Sequence, residues 1–526
     1  MATRQLRGLR RRGRAPQHVL KPNGRIDERV RAVGPEHFGV VCVDPHKGCS
    51  AWMFADFFGQ ILIEPTEVQH RQGSLNTVLG KLRQVSADRG IKDSLVSIEQ
   101  TGTYHLPVQR AFQRAGYDVR LIHPFAVKQY RQPADPGNKT DTTDLLANHR
   151  ATTHGFARSQ QELPPVYRHL RLLIRHRRDL VEKAAALRCQ IREHLGVTLP
   201  GFAELFHEFF DSDTALTVVR HFASVAAIRE AGTAGLANRL RQAQTRFQRL
   251  TLERIVAWTR DAAPDDPDPL LQQQIWIALD DDRVAKTLQI QGLEGQIAGL
   301  LVQTPYLLLL AIPGINVVSA ADLAGELGPM GHYPHPNAIT GRSGLCPTRA
   351  QSHRTDHANG PLRRHANKRL RAALMQVADN LVCYNDHFRQ RNLAWKAQGK
   401  DPRARRVRLA KSFSRLAYAI VAGGELFRHP SLQPRGYILD KLLTFQREHD
   451  MPMTQRQHDL LEAVQQLPSA LYADEAQPLA EQLQALHAAR RRRAGPALLG
   501  DILPLVLEKL GVGGVQSKTS EDLGPG

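Results

Sequence analysis

Cysteine is scarce in this chain, and nothing in its placement pairs it. Five cysteines occur among 526 residues (Cys42, Cys49, Cys189, Cys346 and Cys383), scattered, odd in number and without a CxxC spacing. That pattern excludes a disulfide framework and a cysteine-based zinc site. Long apolar runs are missing too. None approaches the roughly 20 residues that a membrane-spanning helix needs, although the 42% apolar content is enough to bury real cores. The opening MATRQLRGLRRRGR is basic but lacks the apolar stretch of a signal peptide. Residues 1–35 are therefore expected to be a disordered basic arm of a soluble cytoplasmic protein. No internal repeat is present.

Acid is in short supply relative to base. Lys plus Arg number 71 against 51 Asp plus Glu, a net charge of +20 with a pI near 10.1. The excess is clustered in Arg10–Arg14, Arg168–Arg178, Leu362–Arg371, Arg403–Lys411 and Arg490–Arg493. Clustered cations gain by steering toward polyanions and releasing their counterions, so nucleic acid is the predicted partner. No strongly apolar amphipathic face accompanies these runs, which disfavours a membrane surface.

Residues 36–157 alternate strand and helix. HFGVVCVDPHK, GQILIEP, SLVSIEQTG and YDVRLIHP read as strands; LNTVLGKLRQVSADRG, LPVQRAFQRAG and NKTDTTDLLANHRAT read as helices. This alternation predicts an α/β sheet. Residues 158–304 change to long helices. One begins at Pro164-Pro165 and carries an apolar stripe of Leu170, Leu173, Ile174, Leu180, Val181, Leu187 and Ile191. A second follows the acidic linker APDDPDP, with Leu271, Ile275, Leu279, Leu293, Ile297 and Leu300 at helical to heptad-like spacing. A coiled-coil arm, a dimer contact or an internal bundle would each account for them. Residues 305–430 form a mostly helical third region, and residues 431–526 a helical extension ending in a disordered tail.

Within the first region the acids fall at informative places. Asp44 ends the first strand and Glu99 a later one, where ligands gather in open α/β sheets. Asp141 and Asp144 lie one turn apart on a helix, close enough to repel, so Lys139 or a divalent cation must offset them. Taken singly, Asp44 reads as a turn former, Glu99 as a surface charge, and Asp144 as a partner for His149 or Arg150. Taken together, four hard oxygen donors would suit Mg²⁺ or Mn²⁺, and two such ions stabilise both oxygens exchanged in phosphodiester cleavage.

DPHK after one strand, IEQTGTY after another and NKTDTTDLLA on the next helix resemble the RuvC-like domain of the one-ten (IS110/IS1111-type) family of bacterial insertion-sequence DEDD transposases, described as bridge-RNA-guided recombinases. The resemblance runs over residues 38–155 and assigns Asp44, Glu99, Asp141 and Asp144 to the metal-binding catalytic set. It resumes in IPGI, SGLCP and NGPLRRHANKRLRAAL, similar to that family's transposase domain, with Pro313-Gly314 as a helix-hairpin-helix-like turn. There it implies a serine nucleophile at Ser352; Ser343 precedes the motif. Many relatives follow this serine with glycine, whereas His353 and Arg354 stand here. Arg349 or Arg354 could steady charge on the attacked phosphate. Lys139, Arg363, Arg364, Lys368, Arg369 and Arg371 are candidates for holding nucleic-acid backbones. The resemblance further implies donor and target DNA, a structured guide RNA and a homo-oligomer, a tetramer. A Holliday-junction type nuclease and a non-catalytic nucleic-acid-binding protein are the competing readings.

Overall fold

The computed structural model describes residues 27–467, apart from 133–136, 138, 160–161, 264–265, 353–354, 358–359, 364–365, 425 and 428–433. The basic runs Arg10–Arg14 and Arg490–Arg493, the C-terminal tail, and Asp135, His353, Arg354 and Arg364 lie outside the described residues. Two compact units divide the chain, one running to Leu163 with Gly331–Pro334, the other from Pro164 onward.

In the first unit the elements follow the order α1 (Glu28–Val33), β1 (Phe38–Pro45), β2 (Cys49–Asp56), β3 (Ile61–Gln69), α2 (Gln72–Asp88), β4 (Asp93–Glu99), α3 (His105–Arg114), β5 (Asp118–Ile122), α4 (Pro124–Arg131), α5 (Asp141–Thr153) and β6 (Arg158–Ser159). The mixed sheet has the order β3-β2-β1-β4-β5-β6. β1, β4 and β5 run parallel; β2, β3 and β6 pair antiparallel to their neighbours. Side chains alternate across each strand. Val41, Val43, Val96 and Ile98 thus face Leu75, Val78 and Leu82 of α2 and Val108 and Phe112 of α3. Val40, Cys42 and Leu95 face the other way, onto Leu145 of α5.

Three elements escaped sequence reasoning. In β2, Ser50 through Ala55 are all buried, because the strand lies between β1 and β3 with both faces covered, so no alternation marks it. α4 and the two-residue β6 were also missed, and β6 carries the sheet past the expected limit at residue 157. The basic arm is likewise shorter than expected. Arg29 Nε donates to Asp93 at 2.9 Å, Arg29 Nη1 lies 2.7 Å from Asp118, and Asp27 pairs with Arg120 at 2.7 Å. With Val30 buried, α1 is fastened over the starts of β4 and β5.

The second unit is helical: α6 (Pro165–Thr198), α7 (Asp213–His221), α8 (Val225–Gln242), α9 (Arg249–Trp258), α10 (Pro269–Leu301), α11 (Val317–Leu327), α12 (Pro336–Ser343), a ribbon of β7 (Ala350–Ser352) and β8 (Thr355–His357), then α13 (Lys368–Tyr384), α14 (Asp386–Ala397), α15 (Pro402–Gly423), α16 (Pro434–Glu448) and α17 (Met453–Gln466). The long helices α6 and α10 pack antiparallel within one chain, with His194 against Gln272 at 2.7 Å and Arg177 against Glu294 at 2.5 Å. Between them, α7 to α9 close a core around Phe202, Phe209, Leu236, Ile255 and Trp276 that the stripe alone did not foretell. Leu271 and Ile275, expected in the α10 stripe, are exposed instead. The arginine run on α6 is also used internally. Arg171 donates to the Gly325 carbonyl, Arg175 holds the fully buried Glu326 in a bidentate pair at 2.9 and 3.0 Å, and Arg178 grips Asp322.

Before the Pro313-Gly314 turn stands a 3-10 segment, Pro305–Ala311, rather than an α-helix, with Tyr306 to Ile312 completely buried. Gly314 has φ +93, and a Cβ there would sit 3.1 Å from the Asn380 carbonyl oxygen, so the turn needs glycine. Its own carbonyls face Lys441 of α16. The ammonium donates to the carbonyl oxygens of Leu310 (2.9 Å), Ile312 (3.1 Å) and Ile315 (2.7 Å), and lies 4.4 Å from the centre of the Tyr437 ring. Burial pushes its pKa down to about 8, which leaves it charged at neutral pH. The segment after residue 430 is therefore packed into this unit rather than appended to it. Replacing Lys441 by Met leaves three carbonyls without their donor. The expected loss is on the order of 2–4 kcal/mol of unfolding free energy, measured by urea denaturation of the whole chain.

Candidate active site

The parallel register of β1 and β4 pairs Val43 with Ile98, so Asp44 and Glu99 stand side by side at the carboxyl ends of adjacent strands. Alternation turns both toward α5. That helix is set across the two strands by Asn148, whose Nδ2 donates to the carbonyls of Val43 (3.4 Å) and Ser97 (3.3 Å), while its Oδ1 accepts from the Ser97 hydroxyl at 2.6 Å. Thr152 donates to the same hydroxyl at 2.7 Å. Asp144 lies one turn before Asn148 and Asp141 one turn earlier still, which carries both over the strand ends.

The carboxylates feel one another there. Burial, and then the neighbouring Asp44 and Asp144 charges, push the Glu99 carboxyl up to about 7. Asp44 is also raised, by burial first and by Asp144 and Asp141 after it, with His46 pulling the other way. Asp141 and Asp144 coexist for two reasons. Both occupy the first turn of α5, capped by Thr140 and Thr143, where the helix N-terminus favours negative charge. They also point to different partners: buried Asp144 pairs with Arg131 of α4, while exposed Asp141 lies 3.6 Å from His46 Nε2. Neither His149 nor Arg150 partners Asp144; His149 Nε2 instead meets the Asp56 carbonyl at 2.7 Å. Lys139 is exposed and acts on Asp44 and Glu99 only through its charge.

Arg131 and His46 were the residues that sequence reasoning passed over. His46 stands two positions after Asp44, and its Nε2 lies 3.9 Å from the Asp44 carboxylate. Asp44, His46 and Asp141 can converge on one ion. Buried carboxyls crowded enough to raise one another form the donor set a hard divalent cation relieves, so the residues fit such a metal.

In the second unit, α12 ends at Gly344 in a left-handed turn with φ +64, where a Cβ would fall 2.5 Å from that of Ala366. The chain then runs out as an antiparallel ribbon. Thr348 and Pro361 bond at its base, and Ser352 pairs with Thr355 at its far end. Ser343, the competing serine, is fully buried and donates to the Thr340 carbonyl at 3.1 Å, which removes it from consideration. Arg371 was expected on a nucleic-acid surface. It instead donates to the carbonyls of Ser343 (2.9 Å) and Arg363, fixing the ribbon's base. Arg349, Arg363, Lys368 and Arg369 are exposed, with Arg369 4.0 Å from Asp179.

The raised Glu99 carboxyl sets a pH dependence. Its folded pKa near 7 exceeds the ordinary 4.5, so its contribution to stability is complete below about 4.5 and is lost as pH rises through 7. With chelator present, the melting temperature should fall over that window. Glu99→Gln should flatten the fall and melt higher than wild type at pH 8. Added Mg²⁺ should raise the melting temperature of the wild type and have much less effect on the variant.

Comparison with known proteins agrees with this layout. A family profile described as a transposase of the DEDD, IS110 type matches residues 41–200, which contain all four acids. A second, described as transposase IS116/IS110/IS902 family, matches residues 306–392, which contain Ser352. A protein of Streptomyces coelicolor, named insertion element IS110 uncharacterized 43.6 kDa protein, is 23% identical over 348 residues, covering 65% of this chain and 84% of its own. With both profiles matched in their order and the acids gathered at the strand ends, residues 41–200 carry a DEDD transposase domain and residues 306–392 a transposase domain of the IS116/IS110/IS902 type, which makes the chain an enzyme of phosphoryl transfer.

Proposed function

We propose that this transposase moves its insertion sequence by a recombination in which Ser352 is linked covalently to DNA, with Asp44, Glu99, Asp141 and Asp144 holding Mg²⁺ or Mn²⁺. The gathering of Asp44 and Glu99 beneath the first turn of α5, with the Glu99 carboxyl raised to about 7, is the observation that carries it. The strand order β3-β2-β1-β4-β5 and the acids at its carboxyl ends are consistent with an RNase H-like, RuvC-type nuclease domain. Bound ions would supply Lewis-acid relief of charge on the phosphodiester oxygens.

The chain's own residues do the rest. As the Ser352 Oγ–phosphorus bond forms, the bond from phosphorus to the leaving sugar oxygen breaks. The hydroxyl proton is given up, and one is delivered to the leaving oxygen. Water takes the first proton and supplies the second, since a carboxylate that holds a divalent cation is ionised. The ester keeps the energy of the broken bond for rejoining to a second strand. Arg349 and Arg354 are placed in sequence to flank the phosphate held at Ser352. Target choice by a structured guide RNA and assembly as a tetramer complete the reading, as the family resemblance implies.

Strand transfer on a plasmid carrying the element's ends tests the mechanism. Ser352→Ala should lose it by on the order of 10³-fold or more while still binding DNA, and Asp44→Ala should lose cleavage as well. Continued cutting by Ser352→Ala would assign the attack to water and make the enzyme a junction-type nuclease. Sequencing RNA that copurifies with the chain should recover one discrete species encoded beside the gene; a random sample of cellular RNA would end the guided reading.

A further inference from the structure

The basic clusters of this chain differ in what their charges meet. On α6, Arg171, Arg175, Arg177 and Arg178 are held by Gly325, Glu326, Glu294 and Asp322 inside the fold. The helical hairpin of α14 and α15 is otherwise. Residues 386–423 contain ten Lys and Arg and two acids, Asp386 and Asp401, a net of eight positive charges. Asp401 caps α15 by accepting from the Ala404 amide, and so is turned to its own helix. Asp379 of α13 pairs with Arg406, and Asp386 with Arg389. Among the described residues, no carboxylate lies within ion-pair distance of Arg403, Arg408, Lys411 or Arg415.

The arrangement is directional. Leu409, Phe413, Ala417 and Ile420 of α15 are buried. Arg408, Lys411 and Arg415 lie on the opposite side at i, i+3 and i+7, and so share one face. They span about 10 Å of helix at 1.5 Å per residue, roughly the rise of three phosphates along one strand of B-DNA. Two cations are held in place beforehand. The Arg391 and Arg408 guanidiniums lie 5.3 and 5.9 Å from the centre of the Trp395 ring, and Arg391 also donates to the Ser412 hydroxyl at 3.0 Å. Cations already ordered on an indole lose less freedom when they bind.

We infer that the α14–α15 hairpin is a docking surface for the sugar–phosphate backbone of duplex DNA, read by charge and not by base sequence. This rests on the transposase reading for its biological partner. It adds a surface whose α15 half lies wholly beyond the matched segment ending at residue 392.

Binding by the full-length chain tests it, with random-sequence duplex DNA in one arm and a stem-loop RNA in the other, each over a range of salt concentrations. A variant carrying Arg403→Gln, Arg408→Gln and Lys411→Gln removes three charges from exposed or half-exposed positions. Its melting temperature is checked against wild type. The slope of log affinity against log salt should shrink by about 2 to 3, since each released phosphate contact contributes about 0.7 to 0.9. A second variant, Arg403→Lys with Arg408→Lys, should keep the wild-type slope. A reduced slope in the DNA arm is the expected result, whether or not the RNA arm loses slope too; a loss in the RNA arm alone overturns the assignment to DNA. Unchanged slopes in both arms for a folded triple variant overturn the inference, and would be the result if an acidic protein were the true partner. Wild type that binds through this surface yet transfers no strands would count against the transposase mechanism and leave this surface standing.

Discussion

The acidic rim depends on one carboxamide. Asn148 bonds the backbones of β1 and β4 within two residues of Asp44 and Glu99, on the helix that also carries Asp141 and Asp144. A helix resting on a sheet through apolar contacts alone can slide by a fraction of a turn at small cost. Directional hydrogen bonds to two strands at once forbid that slide, because a buried amide that loses them is left unsatisfied. Ser97 and Thr152 complete the set, so every polar group in this small network has a partner. Four acids distant in the chain thereby share one register, and their burial and mutual repulsion, visible in the raised Glu99 carboxyl, become a standing attraction for cations.

Much of this was legible from residue pattern. Asp44 and Glu99 follow apolar runs and precede turns, which is enough to place them at strand ends. Asp141 and Asp144 fall one turn apart on a segment that reads as a helix. What pattern could not show was anything decided by a neighbour remote in sequence. β2 is buried on both faces because β1 and β3 flank it, so its residues carry no alternation to read. Arg131 precedes Asp144 by thirteen residues, and only the packing of α4 on α5 brings it to the carboxylate. His46 was within reach: a residue two positions beyond a strand-end aspartate shares its face.

Charge was the feature read least well, for a related reason. Composition announces a basic protein, yet the arginines of α6 serve as buried partners for Glu326, Glu294 and Asp322, and Arg371 serves two carbonyls. Counting cations in a window cannot separate those that brace a fold from those left for a polyanion. The separation needs the carboxylates, which come from helices more than a hundred residues away. Once they are placed, the α14–α15 hairpin stands apart as the stretch whose charge the rest of the unit leaves largely uncompensated.

The ammonium of Lys441 bears on how small such an enzyme can be made. The second matched profile ends at residue 392, before α16 begins at Pro434, which invites trimming the gene to the matched portion. The carbonyls around the Pro313-Gly314 bend would then face a void where a cation had been. A shortened version would need that bend redesigned, or a small monovalent ion recruited in the lysine's stead; shortening the gene and repairing the fold are here a single engineering problem.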